Sequence, residues 1–492
     1  MITLQDINKF INTIDYLVLF ISIVIIYIFN FYYKYLTRSN PLPSQLPLPF
    51  IGNLHNFWFD IQLFYKQCQK KYGDISEVML DRRYIILSRP EYIEKFYDRK
   101  LFFMKLPYSQ GLEEIGMYGH GIAFNDNYES WKQNKKFFTD TFVAQRFMDN
   151  VVKLTNELYE ELSNNDYWTL ETDFTAWFHG FTNDIVSKII TGERTYSTAS
   201  YYNTQSLNKS EYSDALVEDV NKFVKSNIKY LECLTFFAFF DPFVRHYIPI
   251  FKNKSSAYLK NRDYLFEKLD NIIKKRRKEV EEMSVNIEMR IDMLTSLIMA
   301  NMNVKASNNE VLKPMTDEDI REIDNILPKS SEKSYISYND LQKLKYCEAI
   351  IKEVSRMIPV GPVTFRTVTE EIEIAGYKWP PGTHFILNLV AVHGHPEFWP
   401  DPEIFNPDRF YSSDNDDQND KRFDNKSAFM MFGGGSRICP GRKLAMVELL
   451  LLMALVYKNY NVELVNVHEP LKILTRIGSK CKKLKVRISP RT

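Results

Sequence analysis

The 492-residue chain sets 63 basic against 62 acidic side chains and is 45% hydrophobic and 14% aromatic. That composition excludes wholesale disorder and gives no global basic excess for a nucleic-acid partner. The five cysteines, Cys68, Cys233, Cys347, Cys439 and Cys481, are odd in number and widely spaced. Neither a disulfide framework nor a paired zinc motif can be read from them, so the bulk of the chain is assigned to a reducing compartment.

Residues 16–33, YLVLFISIVIIYIFNFYY, contain no charge. About 20 apolar residues are needed to cross a hydrocarbon core, and this run predicts a membrane anchor over 1–36. A cleaved signal peptide would want a basic start and small residues at the cut. Here Asp6, Lys9 and Asp15 precede the run and bulky aromatics close it. Lys34 and Arg38 come next, which orients the large domain to the cytosol. Pro41, Pro43, Pro47 and Pro49 then make 37–52 a stiff hinge.

The remaining domain is expected over 53–492. Alternation in DISEVMLDRRYIILS (74–88) predicts a hairpin. Helical patterns dominate from about 127 to 300, and 195–213 reads as a polar loop. KKRRK at 274–278, followed by EVEE, is expected as a solvated helix face with i,i+4 pairs. A helix is predicted at 338–358, then short strands in 371–390 with KWPPGT as their turn. DNDDQND (414–420) reads as an acidic surface loop and LKVRIS near the end as a strand. The mixture is predominantly α, an α+β class with small sheets.

Chemistry concentrates in FGGGSRICPG, residues 432–441. Glycines there let a backbone approach a flat ligand and take positive φ. Their amides can hydrogen-bond a sulfur and tune the thiolate of Cys439 as a metal ligand. Arg437 suits a carboxylate, and Phe432 can pack beneath the ligand. A phosphate loop would want Lys-Ser or Lys-Thr after its last glycine, where this chain has Cys-Pro-Gly-Arg. From these residues alone, a haem or metal thiolate and a structural turn both stay open. His393 and His395 supply two imidazoles without a third ligand.

The spacing Phe432-x-x-Gly435-x-Arg437-x-Cys439-x-Gly441, with Ala445 beyond it, resembles the haem-ligand signature of the cytochrome P-450 monooxygenases. Three further matches occur in the family's order. Glu353 and Arg356 match a Glu-x-x-Arg pair, Pro362 and Arg366 come just after that helix, and Pro407-Asp408-Arg409-Phe410 matches a Pro-Glu-Arg-Phe-like motif with Asp for Glu. Glu-x-x-Arg by itself carries little, since most such pairs are exposed. Upstream, Trp131 and Lys135 resemble a Trp-x-x-x-Arg pair, with lysine for arginine.

The resemblance implies a large helical domain with small sheets and haem b held by Cys439. Phe432, Gly435, Arg437, Gly441, Trp131, Lys135 and Arg366 would form the cofactor site, and Glu353, Arg356 and Arg409 a buried supporting cluster. It implies an apolar small-molecule substrate, electrons from an NADPH–cytochrome reductase that docks near Arg442 and Lys443, and a single-pass location in the endoplasmic reticulum membrane. One family element is missing: no Ala/Gly-Gly-x-Asp/Glu-Thr helix is found, so no catalytic acid–hydroxyl pair can be named. MTDEDIR (315–321) normally leads into that helix, yet Arg321 runs straight into a stretch that resembles the family's sequence beyond it. An internal deletion is therefore expected at 321/322. DMLTSLIMANM (292–302), with Thr295 and Ser296, is a poor substitute because it lacks an opening glycine. The rival readings are an inactive membrane-tethered relative and a haem-thiolate isomerase or dehydratase.

Overall fold

The computed structural model describes residues 4–58, 60–97, 104–106, 108–119, 121–143, 145–163, 172–203, 219–282, 292–295, 297–298, 336–411, 426–466, 468–469, 471–475 and 478–490. Helix α1 (Leu4–Leu36) contains the apolar stretch Asp15–Leu36, long enough to cross a membrane and not buried against the domain. Its end is tied down. Tyr35 and Ser44 share a 2.6 Å hydrogen bond, Phe50 stacks on Tyr27 at 4.3 Å, and Arg38 pairs with the buried Glu77.

Helices continue at α2 (Ile61–Tyr72), α3 (Pro90–Glu94), α4 (Gln110–Glu114), α5 (Tyr128–Val143), α6 (Gln145–Ser163), α7 (Phe174–Thr191), α8 (Ser197–Asn203), α9 (Val220–Phe239), α10 (Pro242–Tyr247) and α11 (Pro249–Glu282). Further along come α12 (Tyr338–Leu341), α13 (Lys345–Met357), α14 (Leu389–His393) and α15 (Arg442–Asn459). Their ends obey capping chemistry. The Asp60 carboxylate accepts the Leu63 N–H to open α2, and Gly192, at φ +71°, closes α7 in the left-handed region.

Strands β1 (Ile75–Met79) and β2 (Arg83–Leu87) form the expected hairpin. β7 (His384–Asn388) runs parallel to β2, and β4 (Val363–Thr367) pairs antiparallel with β7, giving the order β1-β2-β7-β4. The other sheets are small: β5 (Ile372–Ile374) with β6 (Tyr377–Trp379), β9 (Ile473–Thr475) with β10 (Ser479–Cys481), and β3 (Thr172–Asp173)-β11 (Lys485–Pro490)-β8 (Tyr460–Leu464). One apolar core joins α6, α7 and α15 around Val151, Trp177 and Leu451; two others cover the faces of the four-stranded sheet.

Four local expectations change. The polar stretch at 195–213 is helical over Ser197–Asn203, because buried Asp184 accepts the Ser197 and Thr198 N–H groups at 2.7 and 3.0 Å and anchors that turn. KKRRK is not wholly solvated: Arg276 is buried beside Glu193, Glu279 and Asp292, while Lys275–Glu279 and Lys278–Glu282 pair on the outside. The helix at 338–358 is two helices. Ser337 and Asp340 form a capping box, and short i,i+3 bonds from Lys343 and Leu344 turn the chain before α13. The strands reach back to Val363, and the β5–β6 turn is Ala375-Gly376, at φ +55° and +79°, rather than KWPPGT, which joins β6 to β7. The junction 321/322, Ser296 and the acidic loop at 414–420 lie outside the described residues.

Candidate functional site

The glycine loop lies against Tyr97. A Cβ on Gly434 would stand 2.5 Å from the Tyr97 ring, and one on Gly435 would stand 2.8 Å from the Tyr97 Cα. Gly433 and Gly435 also take φ of +73° and +62°, which side chains disfavour. Gly441 differs: it caps α15, and a Cβ there would meet the Cys439 Sγ at an ordinary 3.9 Å. The loop closes on itself where the Cys439 N–H donates to the Phe432 carbonyl at 3.0 Å. Cys439 stands just before the first turn of α15.

Cys439 opens into a cavity of about 510 Å³. Trp131 and Lys135 from α5, Arg366 from β4, and Phe432 and Arg437 from the loop line it, so six of the residues singled out in the sequence share one space. Gly435 and Gly441 do not line it and act through the backbone. Its other walls are chiefly apolar, among them Val363, Leu389, Met431 and Leu449. Lys105 is a cation that the sequence reading missed; a backbone bond from Thr367 to Met104 at 3.1 Å carries the chain to that place.

Four cations thus converge where the described lining holds no aspartate or glutamate. The Arg437 guanidinium lies 4.4 Å over the Trp131 ring and donates to the Ile122 and Asn125 carbonyls at 3.1 and 3.0 Å. The Lys135 ammonium donates to the Ser436 carbonyl and lies over the same ring. Arg366 donates through one terminal nitrogen to Thr364 Oγ1 and the Phe365 carbonyl, while its buried Nε meets no acceptor. Burial pushes the Arg366 and Arg437 guanidiniums down to about 10, with Arg366 adding to the effect at Arg437. Burial, then Arg366, Arg437 and Lys135, push the Lys105 ammonium down to about 8, while the Cys439 sulfur works the other way. Buried charges of one sign are costly without a counter-ion. The site calls for an anionic ligand.

Glu353, Arg356 and Arg409 come together behind the loop. Arg356 donates to both Glu353 oxygens at 2.7 and 2.8 Å and to the His393 carbonyl at 2.9 Å. Arg409 Nε stands 3.4 Å from Glu353, whose Oε1 also accepts the Asn406 N–H at 2.9 Å. His393 Nε2 accepts the Met430 N–H at 2.9 Å, so the cluster reaches the start of the cysteine loop through one imidazole. His395 turns to Asp74 at 3.1 Å. Arg442 and Lys443 line a second groove of about 460 Å³ that shares Met431, Phe432, Gly433 and Ile438 with the cavity, and Lys443 is exposed. The Thr295 hydroxyl donates to Asp292 at 2.8 Å, and neither residue lines the Cys439 cavity. Among the described residues, none between Lys135 and Ser355 lines that cavity.

The family model described as "Cytochrome P450" matches this chain in two pieces, residues 41–323 and 321–488. The chain belongs to the cytochrome P450 family. Membership implies haem as cofactor, and the donor set fits it: a cysteine sulfur, lining aromatic rings and cations, one of them with an orphaned guanidinium nitrogen. Cytochrome P450 3A9 of Rattus norvegicus is 22% identical over 91% of this chain and 90% of its own. Lithocholate 6-beta-hydroxylase of Mesocricetus auratus is 24% identical, with coverage of 91% and 90%. The solved cyanobacterial CYP120A1 bound to retinoic acid shares the fold at a TM-score of 0.63 and 18% identity, across 92% of this chain and 100% of that one.

Proposed function

We propose that this chain is a membrane-anchored haem-thiolate monooxygenase. It inserts one atom of dioxygen into a C–H bond of an apolar substrate; the other atom leaves as water, with two protons and two electrons consumed. The electrons originate in NADPH and arrive through a flavoprotein reductase. The observation that carries this reading is the single cavity that unites Cys439 with Trp131, Lys135, Arg366 and Arg437 and no described acid.

Haem b, when bound, supplies the binding and reductive activation of dioxygen. The Cys439 sulfur would hold its iron. Arg366, Arg437 and Lys135 would hold its carboxylates, and Phe432 would pack against it. Glu353, Arg356 and Arg409 fix the loop through His393. Lys443, with Arg442, offers positive charge to the reductase. The apolar helix Asp15–Leu36 supports a single-pass location in the endoplasmic reticulum membrane, with the domain in the cytosol.

The two-part family match, which breaks at 321–323, supports an internal loss of the segment that would wall the cavity opposite Cys439. A second reading rests on the same gap: a haem-binding relative without ordinary oxygen activation. The test begins with purified, reduced protein under carbon monoxide. Wild type should give the family's red-shifted band and Cys439→Ala should lose it; a coloured, spectrally unchanged Cys439→Ala variant would sink the proposal. NADPH-dependent oxygen uptake with substrate turnover separates the monooxygenase from the second reading. Lys443→Glu should slow reduction by the reductase and leave haem bound.

A further inference from the structure

From Ser39 to Phe59 the sequence holds no aspartate, glutamate, lysine or arginine, so the uncharged character of α1 resumes just past Arg38. This segment first runs back along α1. Ser44 meets Tyr35 at 2.6 Å, the Pro47 carbonyl accepts the Tyr32 hydroxyl at 3.3 Å, and the Phe50 ring stacks on Tyr27 at 4.3 Å. The three contacts come in antiparallel order and bring Phe50 beside the apolar stretch Asp15–Leu36. Tyr27 precedes Lys34 by seven residues of helix, about 10 Å along the axis.

The tip of this loop suits hydrocarbon. Leu46, Leu48 and Phe50 are exposed at 57%, 44% and 61%. A backbone in lipid must satisfy its own polar groups. Leu48 and Gly52 exchange both of their backbone hydrogen bonds, at 3.0 and 2.8 Å, and Pro47 and Pro49 have no N–H to satisfy. The loop is also held firmly at its base. A Cβ on Gly52, at φ +54°, would stand 2.3 Å from the Met79 carbonyl oxygen at the end of β1. Asn53 donates its N–H to that oxygen at 2.6 Å and accepts the Met79 N–H at 2.9 Å. On the same strand, buried Glu77 pairs with Arg38 and Arg83, and Arg83 donates to the Ser39 and Asn40 carbonyls at 2.6 Å. Helix and loop thus share one footing on β1.

We propose that residues 44–52 form a second membrane contact, in which Leu46, Leu48 and Phe50 enter the leaflet on the side of the domain, next to α1. Phe50 then sits about 10 Å below the level of Lys34. The inference rests on the reading of α1 as a membrane anchor. Lipid is favoured over a protein partner because the tip lies alongside a helix that is itself in hydrocarbon, and because the segment offers no charge to guide a polar partner.

The test uses the full-length protein in phosphatidylcholine nanodiscs. Leu48→dansylalanine and, separately, Ile25→dansylalanine report on quenching by doxyl-labelled lipid and by aqueous iodide. Doxyl quenching at position 48 should come within about twofold of that at position 25 in α1, with iodide weak at both. Tyr27→Ala, which removes the stacking ring, should lower doxyl quenching at position 48 by about twofold or more. Strong iodide and weak doxyl quenching at position 48, with position 25 in lipid, overturns the inference. Quenching at 48 that Tyr27→Ala leaves unchanged overturns it too, because the loop then does not lie on α1. If the Leu48 variant fails to fold, Leu46→dansylalanine gives the same reading. Absence of doxyl quenching at both positions removes the anchor reading, and this inference with it.

Discussion

Two buried side chains pull the stability of this chain in opposite directions as pH changes. Burial and the adjacent Arg356 push the His393 imidazole down to about 3. The folded chain keeps it neutral, whereas the unfolded chain protonates it below about 6.5. The unfolded state then binds more protons, so His393's contribution is lost as pH falls from about 6.5, at about 1.4 kcal/mol per pH unit. Glu448 is the converse. Burial in the core pushes its carboxyl up to about 7, so the folded chain holds a proton that the unfolded chain releases above about 4.3. That contribution is lost as pH rises from about 4.3 towards 7, at the same slope. Denaturant unfolding between pH 5 and 6.5 should therefore show Glu448→Gln losing stability towards acid about 1.4 kcal/mol per unit more steeply than wild type. His393→Gln should be shallower by a similar amount; three parallel lines would dismiss both assignments.

At the scale of elements, the buried Glu353–Arg356 pair joins α13 to the cysteine loop through His393 and Met430. Removing Arg356 strands a fully buried carboxylate, so Arg356→Ala should cost about 3–5 kcal/mol in denaturant unfolding. Arg409 is more exposed and stands 3.4 Å from Glu353, so Arg409→Ala should cost about 1–2 kcal/mol. Equal losses would mean that the two arginines share the load evenly.

These elements also mark what the sequence made legible. The cysteine loop and the Glu353, Arg356 and Arg409 set were readable because their spacing is long and ordered. Lys105 was not, because one lysine in LFFMKL carries no periodic or motif signal; only the Met104–Thr367 backbone bond brings it to the cavity. The helix Ser197–Asn203 was hidden because its stabiliser, Asp184, lies outside the local window. Arg276 looked like one more surface cation because the acids around it lie on other elements or a turn away. The HGH run offered a ligand pair to the eye, yet His393 serves as an acceptor for a backbone amide.

For the whole molecule, the decisive matter is what closes the Cys439 cavity. Its described lining comes only from two stretches of chain, 105–135 and 355–449. Ten buried apolar side chains contribute roughly 15–30 kcal/mol, while net stability is only about 5–15 kcal/mol. A chain that lacks a central helix would therefore struggle to keep a packed haem pocket. The family match breaks at 321–323, where MTDEDIR runs directly into the stretch that begins at Glu322. A helix that spans a domain needs about 20 residues per 30 Å, and a successor helix with its loops brings the gap to roughly 40. Sequencing the mature messenger across codons 321 and 322 should reveal an in-frame insertion on the order of 40 codons. An uninterrupted message would leave the chain as written, and would turn the balance towards a haem binder that does not activate oxygen in the ordinary way.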